Sequence, residues 1–330
     1  MSAGRRILSL VAAFVTAAHL ASAQQPGKVW RIGVLQSRTR PKSLESHELY
    51  GHFLRRLREL GYVEGKNVLF EWRFADNDYG RLPDLAAELV RLRVDAIITS
   101  GSEGIRAAQK ATSRIPIVFV GGTDVVAQGF VQSLAHPGGN TTGVTLLLPE
   151  IESKQFEFLA SLLPKLSRVV VLGNPANPAY LVQQAHYRVR ADRSKVQVVF
   201  VGARTPKEIE DAIALAARHR PDALICAMDN LMIDQRRQIA DLAMKYRLPS
   251  ISSISNFPQD GGLISYGPSL QQTWRRIAEF VDTIFRGTSP ADIPVEQPTT
   301  LELFINRKTA RALGIEIPPQ ILVLADKVID

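Results

Sequence analysis

The stretch AIITSGSEGIRAAQKATSRIPIVFV, residues 96–120, decides the fold. Ala96–Ser100 is short and mostly β-branched, which predicts a strand. Gly104–Ala111 carries helix formers, and Ile115–Val120 is a second β-branched run. A strand, a helix and a further strand in close succession predict a βαβ unit, and such units build parallel sheets covered by helices.

The same grammar extends in both directions. Val29–Gln36 and Asn67–Phe74 read as strands, and Ser46–Leu60 and Leu82–Leu92 as helices. The first helix carries Leu49, Phe53, Leu57 and Leu60 on one stripe and stops at Gly61. Thr142–Leu146 closes this half. The second half repeats the scheme, with helices at Glu150–Leu163, Tyr180–Val189, Pro206–Arg218 and Gln235–Tyr246. Its strands fall at Arg168–Leu172, Val196–Val201, Leu224–Ala227 and Ser250–Ser253. The expected fold is α/β: two doubly wound, Rossmann-like parallel-sheet lobes joined by a multi-strand hinge. Crossovers are expected near Gly143–Pro149, Gly261–Gly267 and Gln297. Lobe 1 would then hold 28–145 plus about 265–297, and lobe 2 146–264 plus about 298–330. A hinge between two such lobes is a ligand clamp.

A chain of 330 residues, 45% hydrophobic and 22% charged, suits two domains with substantial cores. Residues 1–23 read as a signal peptide: Arg5-Arg6, the apolar run Ile7–Leu20, then Ala21-Ser22-Ala23 for cleavage. The run is shorter than the ~20 apolar residues that span a bilayer, and no cysteine follows to carry a lipid. The expectation is a soluble periplasmic protein. Arg5 and Arg6 supply two of the +8 formal charges, leaving +6 after cleavage. The remaining basic residues, such as Arg55, Arg56, Arg188 and Arg276, are scattered with helical spacing. They read as solvated helix faces, and no nucleic-acid partner is expected. Cys226 is the only cysteine, so no intrachain disulfide can form; its apolar run makes it a small buried hydrophobe.

In doubly wound sheets ligands sit beyond the carboxyl ends of the strands, where helix N-termini present free N–H groups. The residues this chain places there form the candidate binding set: Gln36, Gly101, Ser102, Thr123, Asp124, Asn174, Asn177, Asp229, Asn230 and Ser253. Gly101-Ser102 at a helix start suits a carboxylate, while Asp124 and Asp229 would each counter a ligand ammonium. Each residue alone is an ordinary N-cap or turn former; their convergence is what points to a cleft. Tyr50, Trp72, Tyr79, Phe257 and Tyr266 lie near these ends and would stack on a flat ligand, although Trp72 reads equally as core.

Gly-x-Ser-x-Gly, Walker A, Gly-x-Gly-x-x-Gly and His-Glu-x-x-His patterns are absent from the sequence. His47, His52, His136, His186 and His219 are dispersed. No catalytic residue, metal or cofactor is expected. The competing class is an exported α/β hydrolase, which would need a cleft Ser or Asp within reach of a histidine. A repressor sharing this fold would need an N-terminal helix-turn-helix where the leader stands.

One set of motifs is more specific than these patterns. It comprises Leu60-Gly61-Tyr62-Val63-Glu64-Gly65-Lys66-Asn67-Val68, Ile115-Pro116-Ile117-Val118-Phe119 and Pro137-Gly138-Gly139-Asn140-Thr141-Thr142-Gly143-Val144. Gly262-Leu263-Ile264-Ser265-Tyr266-Gly267 and Ile305-Asn306-Arg307-Lys308-Thr309-Ala310 follow, with Leu313-Gly314-Ile315. In that order, from about Arg31 onward, the chain resembles ABC-transporter substrate-binding proteins of the tryptophan/tyrosine-type group. The resemblance implies the type I periplasmic-binding-protein fold. It further implies a monomeric receptor that hands a small solute to a membrane permease driven by a separate ATPase. It carries ligand contacts onto Gln36, Ser102, Thr123, Asp124, Asn177, Asp229 and Asn230. Members that take aromatic amino acids tend to have a Ser/Glu-rich segment ending Asn-Ser where this chain has Asn174-Pro175-Ala176-Asn177-Pro178. Pro178 removes a hydroxyl and an N–H there, so a related aromatic or branched carboxylate is expected beside an amino acid.

Overall fold

The computed structural model describes residues 28–122, 124–146 and 148–330, so the expected signal peptide lies outside the described residues. Its first sheet is built from β1 (Trp30–Gln36), β2 (Val68–Phe74), β3 (Ala96–Ser100), β4 (Ile117–Val120) and β5 (Thr141–Val144). They lie in the order β2-β1-β3-β4-β5, every pair parallel. Helices α1 (Tyr50–Glu59), α2 (Leu82–Arg91) and α3 (Gly101–Ala111) connect them.

The second lobe opens with α4 (Leu148–Leu162) and continues through β6 (Arg168–Gly173), α5 (Tyr180–Ser194), β7 (Gln197–Gly202), α6 (Pro206–Arg218) and β8 (Ala223–Cys226). Then come α7 (Asn230–Asp234), α8 (Arg236–Lys245), β9 (Ser250–Ser252) and β10 (Ile264–Pro268). After α9 (Leu270–Phe285) the chain adds β11 (Leu301–Asn306), α10 (Arg307–Leu313), α11 (Pro319–Leu324) and β12 (Lys327–Ile329). The second sheet runs β12-β11-β10-β9-β8-β6-β7, with only the β10–β11 pair antiparallel. Its portion β7-β6-β8-β9-β10 repeats the order of the first sheet, so each lobe has a switch point between its first and third strands. Doubly wound sheets of this order open a crevice there.

Residues 265–268, expected in the first lobe, belong to β10 of the second sheet; the chain crosses only after Pro268. It then enters α9, whose apolar face (Trp274, Ile277, Val281, Phe285) is buried. That face packs on the first lobe: Phe285 stacks on Trp30 of β1 at 3.9 Å between ring centroids, and Trp274 meets Tyr50 of α1 edge-on at 5.1 Å. Such pairs add ~0.5–1.5 kcal/mol to the burial itself. The chain then runs beside β5, where Glu296 donates its N–H to Gly143 at 2.9 Å and its carbonyl accepts from Thr145 N at 2.9 Å. Beyond it, β11 rejoins the second sheet. Three crossings therefore form the hinge.

Two local departures from the sequence expectation matter for the site. α3 begins at Gly101, three residues ahead of the expected Gly104, because Gly101 adopts φ +73 and turns the strand into the helix at once. α1 begins at Tyr50, after Ser46, because His47 Nδ1 accepts the N–H groups of Leu49 and Tyr50 at 3.3 and 3.4 Å and ends a separate turn.

α4 carries a buried acid. Glu152 is 3% exposed, its Oε2 lacks a hydrogen-bond partner, and His186 Nδ1 stands 3.4 Å away. Burial pushes its carboxyl up to about 8, against the pull of Arg190 and with Glu150 adding. The folded chain therefore holds this proton over a range where the unfolded chain, at the ordinary 4.5, releases it. Stability should fall as pH rises from about 4.5 to 8, by roughly 2–4 kcal/mol through this group. Glu152→Gln is expected to melt several degrees above the parent at pH 8, with the gap closing at pH 5. Parallel melting curves across that range would refute the burial cost.

Candidate functional site

The two crevices face each other and enclose a cavity of about 90 Å³ lined from both lobes. One wall is the carboxyl end of the first sheet, with Gln36, Ser100, Gly101, Ser102, Glu103, Gly121 and Gly122. The opposite wall holds Asn177, Gln183, Asp229 and Asn230. Between them lies an apolar surface of Leu49, Leu146, Met228, Ile233, Leu270 and Trp274, beside Tyr79 and Arg38.

The first wall is built around an open helix end. Ser100-Gly101-Ser102-Glu103 has the spelling of a capping box, in which Ser and Glu would satisfy each other's backbone N–H groups. That box does not form. Ser100 donates its hydroxyl to Gln36 Oε1 at 2.8 Å and makes no cap hydrogen bond. Glu103 instead accepts from Arg106 Nε at 3.3 Å. The N-terminus of α3, with its partial positive charge, is thus left uncapped by Ser100 against the cavity. Gln36 is fully buried; its Oε1 also accepts from Tyr50 at 3.4 Å, while its Nε2 has no partner.

The second wall turns on Asp229, 4% exposed. It caps α7 by accepting Leu231 N at 2.8 Å, and it accepts from Asn174 Nδ2 at 3.1 Å and Asn177 Nδ2 at 2.8 Å. Its fourth donor, the Tyr79 hydroxyl at 3.1 Å, comes from the first lobe. Burial, and next the Asp229 carboxylate, push the Tyr79 hydroxyl far above its ordinary value, so it stays protonated and donates.

Further polar contacts tie the lobes together. Asn230 Nδ2 donates to Ser37 Oγ at 2.6 Å. Arg38, 3% exposed, donates Nε to Asp234 at 2.9 Å and also bonds it through Nη2. Outside the cavity Arg236 pairs with Glu48 at 2.9 Å and with Asp260 at 2.6 Å.

Six of the ten residues expected at strand ends line the cavity: Gln36, Gly101, Ser102, Asn177, Asp229 and Asn230. Asn174 stands behind the wall, 2% exposed, holding Asp229. Asp124 is exposed at φ +41 and spends its carboxylate on Ala127 N at 3.0 Å, so it caps a turn outside the cavity. Ser253 is buried but does not line the cavity. Thr123 lies outside the described residues. Of the aromatics, Tyr79 reaches the cavity, while Tyr50 and Trp72 pack with Phe74. Arg38, Glu103, Gln183 and Trp274 were passed over; the unformed capping box was the available signal for Glu103. Cys226 is fully buried and its thiol is pushed up to about 12 by burial. Among the described residues no three His, Cys, Asp or Glu side chains group as metal ligands, and no helix is long and apolar enough to cross a membrane.

The sequence signature of ABC transporter substrate binding proteins matches residues 43–329. The chain belongs to that family. A tyrosine-binding protein of Clostridioides difficile is 28% identical over 264 residues, 80% of this chain and 76% of the relative. Among solved structures, a conserved domain protein from Vibrio cholerae matches with TM-score 0.83 and 25% identity, covering 91% of this chain and all of that one. An ABC domain from Streptococcus pneumoniae in complex with L-Trp gives 0.81 at 24% identity, over 91% and 99%. A ligand-free, open substrate-binding protein from C. difficile gives only 0.63 at 25% identity over the same shares. In this chain, hydrogen bonds from Tyr79 to Asp229, Arg38 to Asp234 and Asn230 to Ser37 hold the lobes together across the cleft.

Arg38–Asp234 is the most buried cross-lobe ion pair of the closed state. Breaking such a pair from one side costs ~3–5 kcal/mol while the other charge stays buried, and opening the cleft relieves that cost. Asp234→Ala should therefore raise the ligand-free radius of gyration in small-angle scattering. An unchanged scattering curve would show that the pair does not hold the lobes.

Proposed function

We propose that this chain is the extracytoplasmic receptor of an ABC importer. It captures a small organic solute, an amino acid or a related aromatic or branched carboxylate, between its lobes. It then presents the closed complex to a membrane permease powered by a separate ATPase. The observation that carries this reading is the fully buried Gln36 Nε2, which lacks an acceptor, on the same wall as the α3 N-terminus that Ser100 does not cap. Gln36 and the first turn of α3 line the cavity together with an apolar surface of Leu146, Leu270 and Trp274. A carboxylate on a hydrophobic body fits that layout: charge at the helix end, apolar surface in the middle. The relative named for tyrosine binding supports the amino-acid side of the choice. The Arg5-to-Ala23 leader supports a periplasmic protein, and the family resemblance a monomer.

The test is native mass spectrometry of the purified protein, followed by melting scans against amino acids and their carboxylate analogues. A co-purified carboxylate, or a ligand that at one hundred times its Kd adds ~2.7 kcal/mol of stability, is the expected outcome. A clean protein whose melting no such solute moves would sink the carboxylate reading.

A further inference from the structure

Two acids line the cavity, and the structure separates their roles. Asp229 is the one that strand-end position recommends for a ligand ammonium. Its Oδ1 already accepts from Leu231 N and Asn174, and its Oδ2 from Asn177 and Tyr79. A carboxylate offers about four acceptor directions, and protein donors occupy four here. One of those donors crosses between the lobes. Asp229 is thus committed to closure.

Glu103 is in the opposite position. Its only side-chain hydrogen bond among the described residues is a long one, from Arg106 Nε at 3.3 Å. It pairs with that guanidinium, its side chain is about one-fifth exposed, and it stands in the first turn of α3, next to the helix end that Ser100 does not cap. The fully buried Gln36 Nε2 on the same wall still lacks an acceptor. The wall therefore offers donors and one undersaturated anionic acceptor side by side. An α-amino acid carries its carboxylate and its ammonium on one carbon and needs that juxtaposition. A deaminated acid would use the donors and bring its carboxylate against Glu103, whose charge Arg106 alone offsets, a like-charge contact that repels.

Resting on the receptor reading above, we propose that Glu103 is the specificity-determining acid of this cleft. It accepts the ligand's α-ammonium and selects α-amino acids over deaminated acids with the same side chain. Asp229 acts on closure and not on this choice.

Three matched pairs test it by calorimetry: L-tyrosine, L-tryptophan and L-leucine, each against its deaminated carboxylic acid. The full-length mature protein, Glu103→Gln and Asp229→Asn are compared, with circular dichroism to show that each variant is folded. The parent should bind at least one amino acid ten-fold or more tighter than its partner acid. Glu103→Gln should erase that ratio, chiefly by losing amino-acid affinity. Asp229→Asn should weaken both members of the pair alike and keep the ratio. A parent that binds the deaminated acids as well or better would overturn the Glu103 assignment and leave the receptor reading standing. So would a Glu103→Gln variant that keeps the preference. If none of the six compounds binds the parent, the assignment fails together with the carboxylate reading.

Discussion

Four donors meet on the Asp229 carboxylate, and the organisation of the cleft depends on that meeting. The Leu231 N–H starts α7, the amides of Asn174 and Asn177 fix the turn after β6, and the Tyr79 hydroxyl arrives from the other lobe. A buried carboxylate is costly unless its lone pairs are filled. The fourth donor is available only when the lobes are together. Closure is therefore written into the solvation needs of one side chain, and the turn geometry of the second lobe is set by the same atoms.

The first lobe shows the opposite choice. Ser100 and Glu103 have the spacing to cap α3 and do not; the hydroxyl goes to Gln36 and the carboxylate to Arg106. A local rule worth ~1 kcal/mol at an N-cap is set aside at the point where the helix meets the cavity. Departures of this kind concentrate at functional sites, where local consistency is traded for a free binding group. The sharp strand-to-helix turn at Gly101 makes the trade possible, because it brings the first N–H groups of α3 to the end of β3 without an intervening loop.

The lobes themselves were legible because each βαβ unit carries its own periodicity, as residues 96–120 do. The strand-end rule also reached much of the polar walls, since Gln36 ends β1, Asn177 stands in the turn after β6, Asp229 stands between β8 and α7, and Asn230 opens α7. What it missed arises from contacts far apart in sequence. Arg38 meets Asp234 across 196 positions and Tyr79 meets Asp229 across 150, and no local pattern signals either. Trp274 reaches the cavity because α9, following a strand of the second sheet, packs on the first lobe. Residues 265–268 were placed in the wrong lobe for the same reason: hydrogen bonding to β9 and β11 holds β10 in the second sheet up to Pro268. Asp124 misled because a residue after a strand can equally cap its own turn, which is what it does.

The balance between open and closed follows from these parts. Tyr79–Asp229, Asn230–Ser37 and Arg38–Asp234 favour closure. Against them, the joined lobes bury Gln36 Nε2 without a protein acceptor, at ~1–3 kcal/mol. Water in the open cleft, or a ligand oxygen in the closed one, would relieve that cost. On the receptor reading, a solute that presents an acceptor to Gln36 would bind the closed arrangement better than the open one, which is the only way a ligand can shift such an equilibrium. On that reading the cross-lobe bonds set how far the free protein leans towards closure, and the unpartnered Gln36 Nε2 ties its completion to a ligand of the right polarity.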